Sequence, residues 1–231
     1  MHDTSAAIIV AAGTSRRMQG RDKLWTPLAG RITLARTIDV FESSPIIDSI
    51  ILVLNSERIN DAAALCAKEG WQKIAALVPG GQRRQDSVCA GLDALATISP
   101  TCQWVMIHDG ARPLVTPAIL ETGLLAAQQY QAAIAAVPVK DTIKLVQEGK
   151  VSRTIDRSQL WAIQTPQVFS FPLIHQAHHS SAAQHDVTDD AALLEALEQP
   201  VAIFPGAHTN IKITTQEDLL LAEAFIQGHL P

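Results

Sequence analysis

No apolar run in this sequence approaches the roughly 18 to 20 residues needed to cross a bilayer. The longest, such as 6–12, end well short of that, so no membrane partner is expected. The opening stretch MHDTSAAIIVAAG also lacks a basic leader followed by a cleavable apolar region, which makes a cytoplasmic protein the expectation. Positive charge is in deficit: 18 Lys and Arg stand against 23 Asp and Glu, for a net charge of −5. General affinity for nucleic acid or an anionic surface is thereby excluded, and any anion site must be local. Cysteine is sparse. Cys66, Cys89 and Cys102 are odd in number, far apart and without a C-x-x-C pair, so reduced core thiols are expected in preference to a metal or redox role.

What is present suffices for a sizeable core. With 231 residues, 47% of them hydrophobic and 18% charged, disorder is not expected and one domain spanning 1–231 is. Short apolar runs recur at 6–11, 49–54, 73–78, 103–108, 132–139 and 201–204. Continuous runs of this length read as strands covered on both faces, hence a largely parallel sheet. Between them, Leu34, Ile38 and Phe41 fall at i, i+4, i+7, as do Val88, Leu92 and Leu95, giving helices with one face on a sheet. Thr214, Thr215, Glu217 and Asp218 ahead of LLLAEAFI resemble a capping box and mark a last helix. The alternation predicts an α/β fold, a Rossmann-like doubly wound sheet. One region breaks the rhythm: 139–161 reads as two short strands around QEGK, with Gly149 in the turn. Its faces look charged and poor in large apolar groups, so a protruding β-arm at about 138–160 is expected to need a partner, most simply a second copy of the chain.

Three loops carry the chemistry. In open α/β sheets, ligands collect beyond the carboxyl ends of the strands. AAGTSRRMQGRDKL (11–24) follows the first strand and is neither a P-loop nor a G-x-G-x-x-G fingerprint. Gly13 nevertheless permits close backbone approach, and Arg16, Arg17 and Lys23 can answer phosphates. PGGQRRQDSV (79–88) follows the third run, with Arg83, Arg84 and Ser87 as donors at a helix start. IHDGARPLV (107–115) follows the fourth and places Asp109 at a strand end, a natural Mg²⁺ ligand beside phosphates. His175, His178 and His179, with His185 and Asp186 nearby, have zinc-like spacing, but the segment is polar and reads as a solvated helix and loop.

Taken with VKDTIK (139–144), TIDRSQLWAIQTPQVF (154–169), VTDDA (187–191) and TNIKIT (209–214), these blocks run in order along nearly the whole chain. The sequence resembles the 2-C-methyl-D-erythritol 4-phosphate cytidylyltransferases of the non-mevalonate isoprenoid pathway, nucleotidyltransferases with a Rossmann-like sheet. The resemblance implies transfer of CMP from CTP to methylerythritol phosphate, with Mg²⁺ and a homodimer. It assigns Arg17 and Lys23 to the transition state at the α-phosphate, and Ala11, Ala12 and Gly13 to the loop against the nucleotide. Gly81, Gln82, Ser87 and Gly110 fall at nucleotide contacts, and Asp109 at the metal-linked acid. Lys212 and Arg157 match residues that position the acceptor. Arg112, Thr142, Thr165 and Thr188 match smaller contacts to it, with the Thr and Arg of the arm reaching across the dimer interface.

The chain departs from the family pattern in places. Asp22-Lys23-Leu24 stands for the usual Pro-Lys-Gln, the basic pair is one residue closer, Gln82 replaces a frequent acid, and Gly110 replaces Ala. Asp22 either orients Lys23 or weakens its attraction for triphosphate. Bringing two anions together asks for positioning and charge neutralisation, with no covalent intermediate. That suits Arg, Lys and Mg²⁺ and the lack of a Ser/His/Asp or Cys/His nucleophile. Two other readings remain open: a cytidylyltransferase for another polyol phosphate such as ribitol 5-phosphate, and a non-catalytic nucleotide-binding regulatory module.

Overall fold

The computed structural model describes residues 3–13 and 22–228. The expected strands form at β1 (Ser5–Ala11), β4 (Ser49–Leu54), β5 (Ile74–Pro79), β6 (Trp104–Asp109), β7 (Ala132–Pro138) and β11 (Ala202–Pro205). Pro27–Leu28 and Arg31–Ile32 (β2 and β3) make a minimal hairpin ahead of α1 (Thr33–Ser43). The remaining helices are α2 (Ile59–Glu69), α3 (Arg84–Ile98), α4 (Pro117–Tyr130), α5 (Phe171–His178), α6 (Ala191–Ala196) and α7 (Gln216–Ile226). None of the described helices is long and apolar enough to cross a membrane.

The seven-stranded sheet runs β5-β4-β1-β6-β10-β7-β11, where β10 (Trp161–Ser170) is antiparallel to both neighbours and every other pairing is parallel. β10 was not expected from the sequence. Its register shifts between Ile163 and Gln167, on either side of Pro166, and this interruption hides the strand pattern. β5 also differs from expectation: as the edge strand it is only partly covered, with no fully buried residue.

The two-residue period of the strands sorts the core. Ala7 and Ile9 of β1 face one side with Leu34, Ile38 and Phe41 of α1 and Leu120 of α4. Ala6 and Ile8 face the other, against Val88, Leu92 and Leu95 of α3 and Ile174 of α5. Each fully buried Leu, Ile, Val or Phe among them stabilises by about 1.5–3 kcal/mol. The last helix is capped as expected: Thr215 Oγ1 accepts from the Asp218 N–H and Asp218 Oδ2 accepts from the Thr215 N–H at 2.8 Å.

The arm is β8 (Lys144–Gln147) paired antiparallel with β9 (Lys150–Thr154) through Glu148 and Gly149. Gly149 has φ +74°, a left-handed angle that glycine adopts without steric cost. Every residue of the two strands is exposed. Contrary to the expectation of faces poor in large apolar groups, Ile143, Leu145, Val146 and Val151 stand open to solvent, as do Trp161 and Ile163 at the root.

Candidate active site

The carboxyl ends of β1, β4, β5 and β6 meet around a cavity of about 590 Å³. Ala12 and Gly13 line it from the first loop, together with Lys23, and Gly81, Gln82 and Ser87 from the third. Gly80 is the tightest point: a Cβ there would lie 2.3 Å from Ala12 Cβ and 2.7 Å from Ser87 Oγ, so the two loops approach only because it has none. The Gly80 N–H donates to Leu54 O at 2.7 Å. Ser87 Oγ accepts from the Gly81 N–H and donates to Arg83 O, both at 3.1 Å, so this hydroxyl shapes the loop as well as lining the cavity.

Arg17, together with Arg16 and Arg21, lies outside the described residues. Asp22 has a structural explanation. Its Oδ1 accepts from the Leu24 N–H at 3.1 Å, its carbonyl accepts from Trp25 and Thr26, and Oδ2 lies 3.6 Å from Arg58 Nε. The Arg58 guanidinium in turn sits 5.5 Å from the Trp25 ring centroid. The acid thus folds the turn that presents Lys23, while Leu24 is buried in the core.

Asp109 closes the far side of the cavity, its side chain 9% exposed. Lys212 Nζ is 2.8 Å from Oδ2, Arg84 Nε donates to Oδ1 at 3.2 Å, and Arg112 Nε is 3.8 Å from Oδ2. Burial opposes the charge of Asp109, but Arg84 and Lys212 outweigh it and hold the carboxyl well below the usual range. Arg84 also donates to the fully buried Asp190 at 2.8 Å, and its charge is favoured by both acids against the cost of burial. His178 approaches Asp190 to 3.3 Å without hydrogen-bond geometry.

Behind this wall, His108 is buried, which pushes its pKa down to about 4. Its neutral ring joins two loops: Nε2–H donates to Arg112 O at 3.2 Å, and Nδ1 accepts from the Thr165 hydroxyl at 3.1 Å. Thr165 Oγ1 accepts in turn from the Asp109 N–H at 3.0 Å. Asn210 donates to Thr165 O at 2.9 Å and accepts from Arg112 Nη1 through its carbonyl at 2.7 Å. Two distant segments, around Thr165 and Asn210, are therefore locked to the loop that carries the acid.

A second cavity of about 280 Å³ opens on the other side of the wall, lined by Arg112, Thr165 and Thr188 as well as Gln164 and Asp189. Arg84, Asp109 and Lys212 line both cavities. Arg84 Nη2 and Arg112 Nε are buried without a hydrogen-bond partner among the described residues, leaving donors for an anion. Sequence reasoning named Arg84 only as one donor at a helix start and missed His108, Asp190 and Asn210. In HDGARP and TNIKIT, a His beside the acid and an Asn two residues before the Lys were the available signals.

Other expected residues lie elsewhere. Ala11 is packed in the core, and Gly110 sits beneath the loop, its N–H donating to Val10 O and its carbonyl accepting from Thr37. Neither is among the residues lining a cavity. Thr142 and Arg157 are exposed on the arm and its base, away from both cavities, with Arg157 Nη1 donating to Lys140 O. The histidine segment is solvated as expected at His179, His185 and Asp186, and departs from that reading at His178. His178 is buried beside Asp190, His185 holds Gln85 through its carbonyl, Asp186 pairs with Arg83, and only His175 and His179 share a face. Cys66 and Cys89 are likewise half-buried and not core thiols, Cys89 beside His179, while Cys102 is buried as expected.

For a metal, the donor facing the larger cavity is a single ionised carboxylate, Asp109, the one acid lining it among the described residues. One carboxylate with ligand phosphate oxygens and water is a combination that suits Mg²⁺.

The family model for 2-C-methyl-D-erythritol 4-phosphate cytidylyltransferase matches residues 5–228. A protein of that name from Dehalococcoides mccartyi (strain ATCC BAA-2266 / KCTC 15142 / 195) is 46% identical over 228 residues, covering 98% of each chain. Another from Geobacillus kaustophilus (strain HTA426) is 46% identical over 97% of each. Among solved structures, 4-diphosphocytidyl-2C-methyl-D-erythritol synthase from Anaerococcus prevotii DSM 20548 superposes with a TM-score of 0.85 at 32% identity, covering 98% of this chain and 100% of that one. With matches of this length on both the sequence and the fold, the chain belongs to the 2-C-methyl-D-erythritol 4-phosphate cytidylyltransferase family.

Proposed function

We propose that the two cavities hold the two substrates of this reaction, CTP in the larger and 2-C-methyl-D-erythritol 4-phosphate in the smaller, and that chemistry occurs at the wall between them. A phosphate oxygen of the acceptor attacks the α-phosphorus of CTP in line. A new P–O bond forms as the bond to the bridging oxygen of the β-phosphate breaks, and pyrophosphate leaves with that oxygen. The carrying observation is that Arg84, Asp109 and Lys212 line both cavities, so one set of charges addresses both anions.

Residue roles follow from charge. Lys23 and Arg17 neutralise the phosphoryl group in flight, while Lys212, Arg112 and Arg84 draw in the acceptor phosphate. The backbone around Ala12, Gly13 and Gly81 gives the nucleotide close approach. Asp109 would hold Mg²⁺, which when bound would supply a hard positive charge for phosphate oxygens, and Lys212 stands beside it to meet the acceptor phosphate. The exposed apolar arm supports a homodimer in which Thr142 and Arg157 of one copy complete the acceptor site of the other. Its setting is taken to be the cytoplasm.

Pyrophosphate release from CTP and Mg²⁺ with each acceptor tests this reading. Release with methylerythritol phosphate and little with ribitol 5-phosphate is expected. Equal release would move the acceptor assignment, and CTP binding with no release from either would favour a regulatory module.

A further inference from the structure

Away from both cavities, α3 and α5 bring together a separate set of donor atoms. Cys89 and Asp93 are one turn apart on α3, and His175 and His179 one turn apart at the end of α5, so each pair shares a helix face. Asp93 Oδ1 lies 3.1 Å from His175 Nε2 and 3.2 Å from His179 Nε2. Cys89 Sγ lies 3.9 Å from Asp93 Oδ2 and 4.0 Å from His179 Nε2. Sulfur, carboxylate oxygen and the His179 nitrogen all fall within 4.8 Å of one another.

The hydrogen-bond logic of this cluster is incomplete without a cation. His179 Nδ1 is 2.9 Å from His175 O, a carbonyl that can only accept, so Nδ1 carries the hydrogen. In the neutral ring Nε2 is then an acceptor, and it faces a carboxylate oxygen, which is another. Two lone pairs at 3.2 Å call for a proton or a metal ion between them. Anchoring one ring nitrogen on a carbonyl is also how metal-binding imidazoles are oriented.

The dimensions accommodate a metal. A tetrahedral zinc with bonds of about 2.3 Å to sulfur and about 2.0–2.1 Å to nitrogen and oxygen needs edges of roughly 3.6 Å (S to N) and 3.4 Å (N to O). The observed separations differ from these by a few tenths of an ångström, within reach of small side-chain rotations. We propose that Cys89, Asp93 and His179 form a binding site for a borderline-soft divalent transition metal, with zinc the best-matched ion and His175 holding the Asp93 carboxylate. The mixed sulfur and imidazole donors set it apart from Asp109, whose lone carboxylate suits hard cations. As the ion binds, the Cys89 thiol gives its proton to solvent and a sulfur–metal bond forms. Because the ion displaces the thiol proton, affinity rises with pH. The side chains of Asp93 and His179 are 52% and 46% exposed, which leaves the ion in exchange with solvent.

The test uses the full chain without an affinity tag, stripped of metal, with Co²⁺ as spectroscopic probe and Zn²⁺ in competition with a chelating dye. The expected result is one ion per chain, with a thiolate-to-cobalt charge-transfer band that Zn²⁺ abolishes. Cys89→Ser should remove the band, and both Cys89→Ser and His179→Ala should weaken Zn²⁺ binding about 10-fold or more. His185→Ala, outside the cluster, should leave binding unchanged. Zn²⁺ should also raise the Tm of the native chain but not that of Cys89→Ser, whose cytidylyl transfer with Mg²⁺ should match the native chain. A cobalt spectrum without the thiolate band, or Zn²⁺ affinity indifferent to Cys89→Ser and His179→Ala, overturns the site.

Discussion

The wall of Arg84, Asp109, Asp190 and Lys212 and the arm of β8 and β9 are both rich in charge, yet they obey opposite rules. At the wall, Asp109 and Asp190 are buried, and each is held by cations more than 20 residues away in sequence. A buried charge is tolerable only when partners neutralise it, so this region is an assembly that no single segment can form. In the arm, partners are neighbours: Lys144 reaches Thr154 across one turn, and every residue is exposed. Ionic and polar contacts of that kind add little, while exposed Leu145, Val146 and Val151 invite cover from another surface. The wall closes its charges within one chain; the arm leaves apolar side chains uncovered.

That contrast can be broken experimentally, beginning where the effect should be greatest. Lys23→Ala and Arg17→Ala should each lower kcat by roughly 10³-fold or more, with CTP binding much less affected, as for charge-stabilising groups in phosphoryl transfer. Near-normal turnover in either variant would remove that residue from the chemistry. Asp190→Ala leaves Arg84 buried beside one acid in place of two and should cost about 3–5 kcal/mol in chemical denaturation. An unchanged denaturation midpoint would mean that the wall is not the interdependent unit described.

His108 supplies the pH dependence. Its folded pKa of about 4 lies below the unfolded value of about 6.5, so the unfolded chain binds the proton more readily. The stabilising preference for the neutral ring is therefore complete above pH ~6.5 and is lost as pH falls toward about 4, amounting to about 3 kcal/mol. His108→Gln should flatten this part of the stability profile; an unaltered acid limb would show that other groups control it.

Mixing Lys23→Ala with Arg157→Ala chains sharpens the other side of the comparison. If the arm completes a neighbour's site, equal mixing should restore about a quarter of native activity, since half the dimers are hybrids with one intact site. Confirmed heterodimers with no recovery would rule out a shared site. The smallest effect belongs to Val151→Thr. Within the isolated protomer it should change stability by no more than about 0.5 kcal/mol, while weakening self-association measured by sedimentation.

How far the sequence could be read depended on how local each signal was. Leu34, Ile38 and Phe41 announced a helix because their spacing alone defines a face, and Thr215 with Asp218 announced its cap within four residues. β10 was not visible, since its pattern is interrupted around Pro166 and its burial comes from two neighbours distant in sequence. At the site, the loops 11–24, 79–88 and 107–115 could be named as ligand-bearing from glycines and charges at strand ends. Arg84 could not be ranked above Arg83 from adjacency: one turns inward to Asp109 and Asp190, the other outward to Asp86 and Asp186.

The histidines make the same point from the opposite direction. Spacing grouped His175, His178 and His179, but the helix sent His178 into the interior toward Asp190 and left the other two facing Cys89 and Asp93. By itself, the sequence determined the mostly parallel α/β class, the arm, the family and the loops that line the larger cavity, because each is written in short-range periodicity, turn chemistry or contiguous motifs. Only the tertiary structure decided which charges share a wall, which acid is buried, and which donors from separate helices converge. Those properties depend on distances between segments that the sheet brings together, and a linear pattern does not contain them.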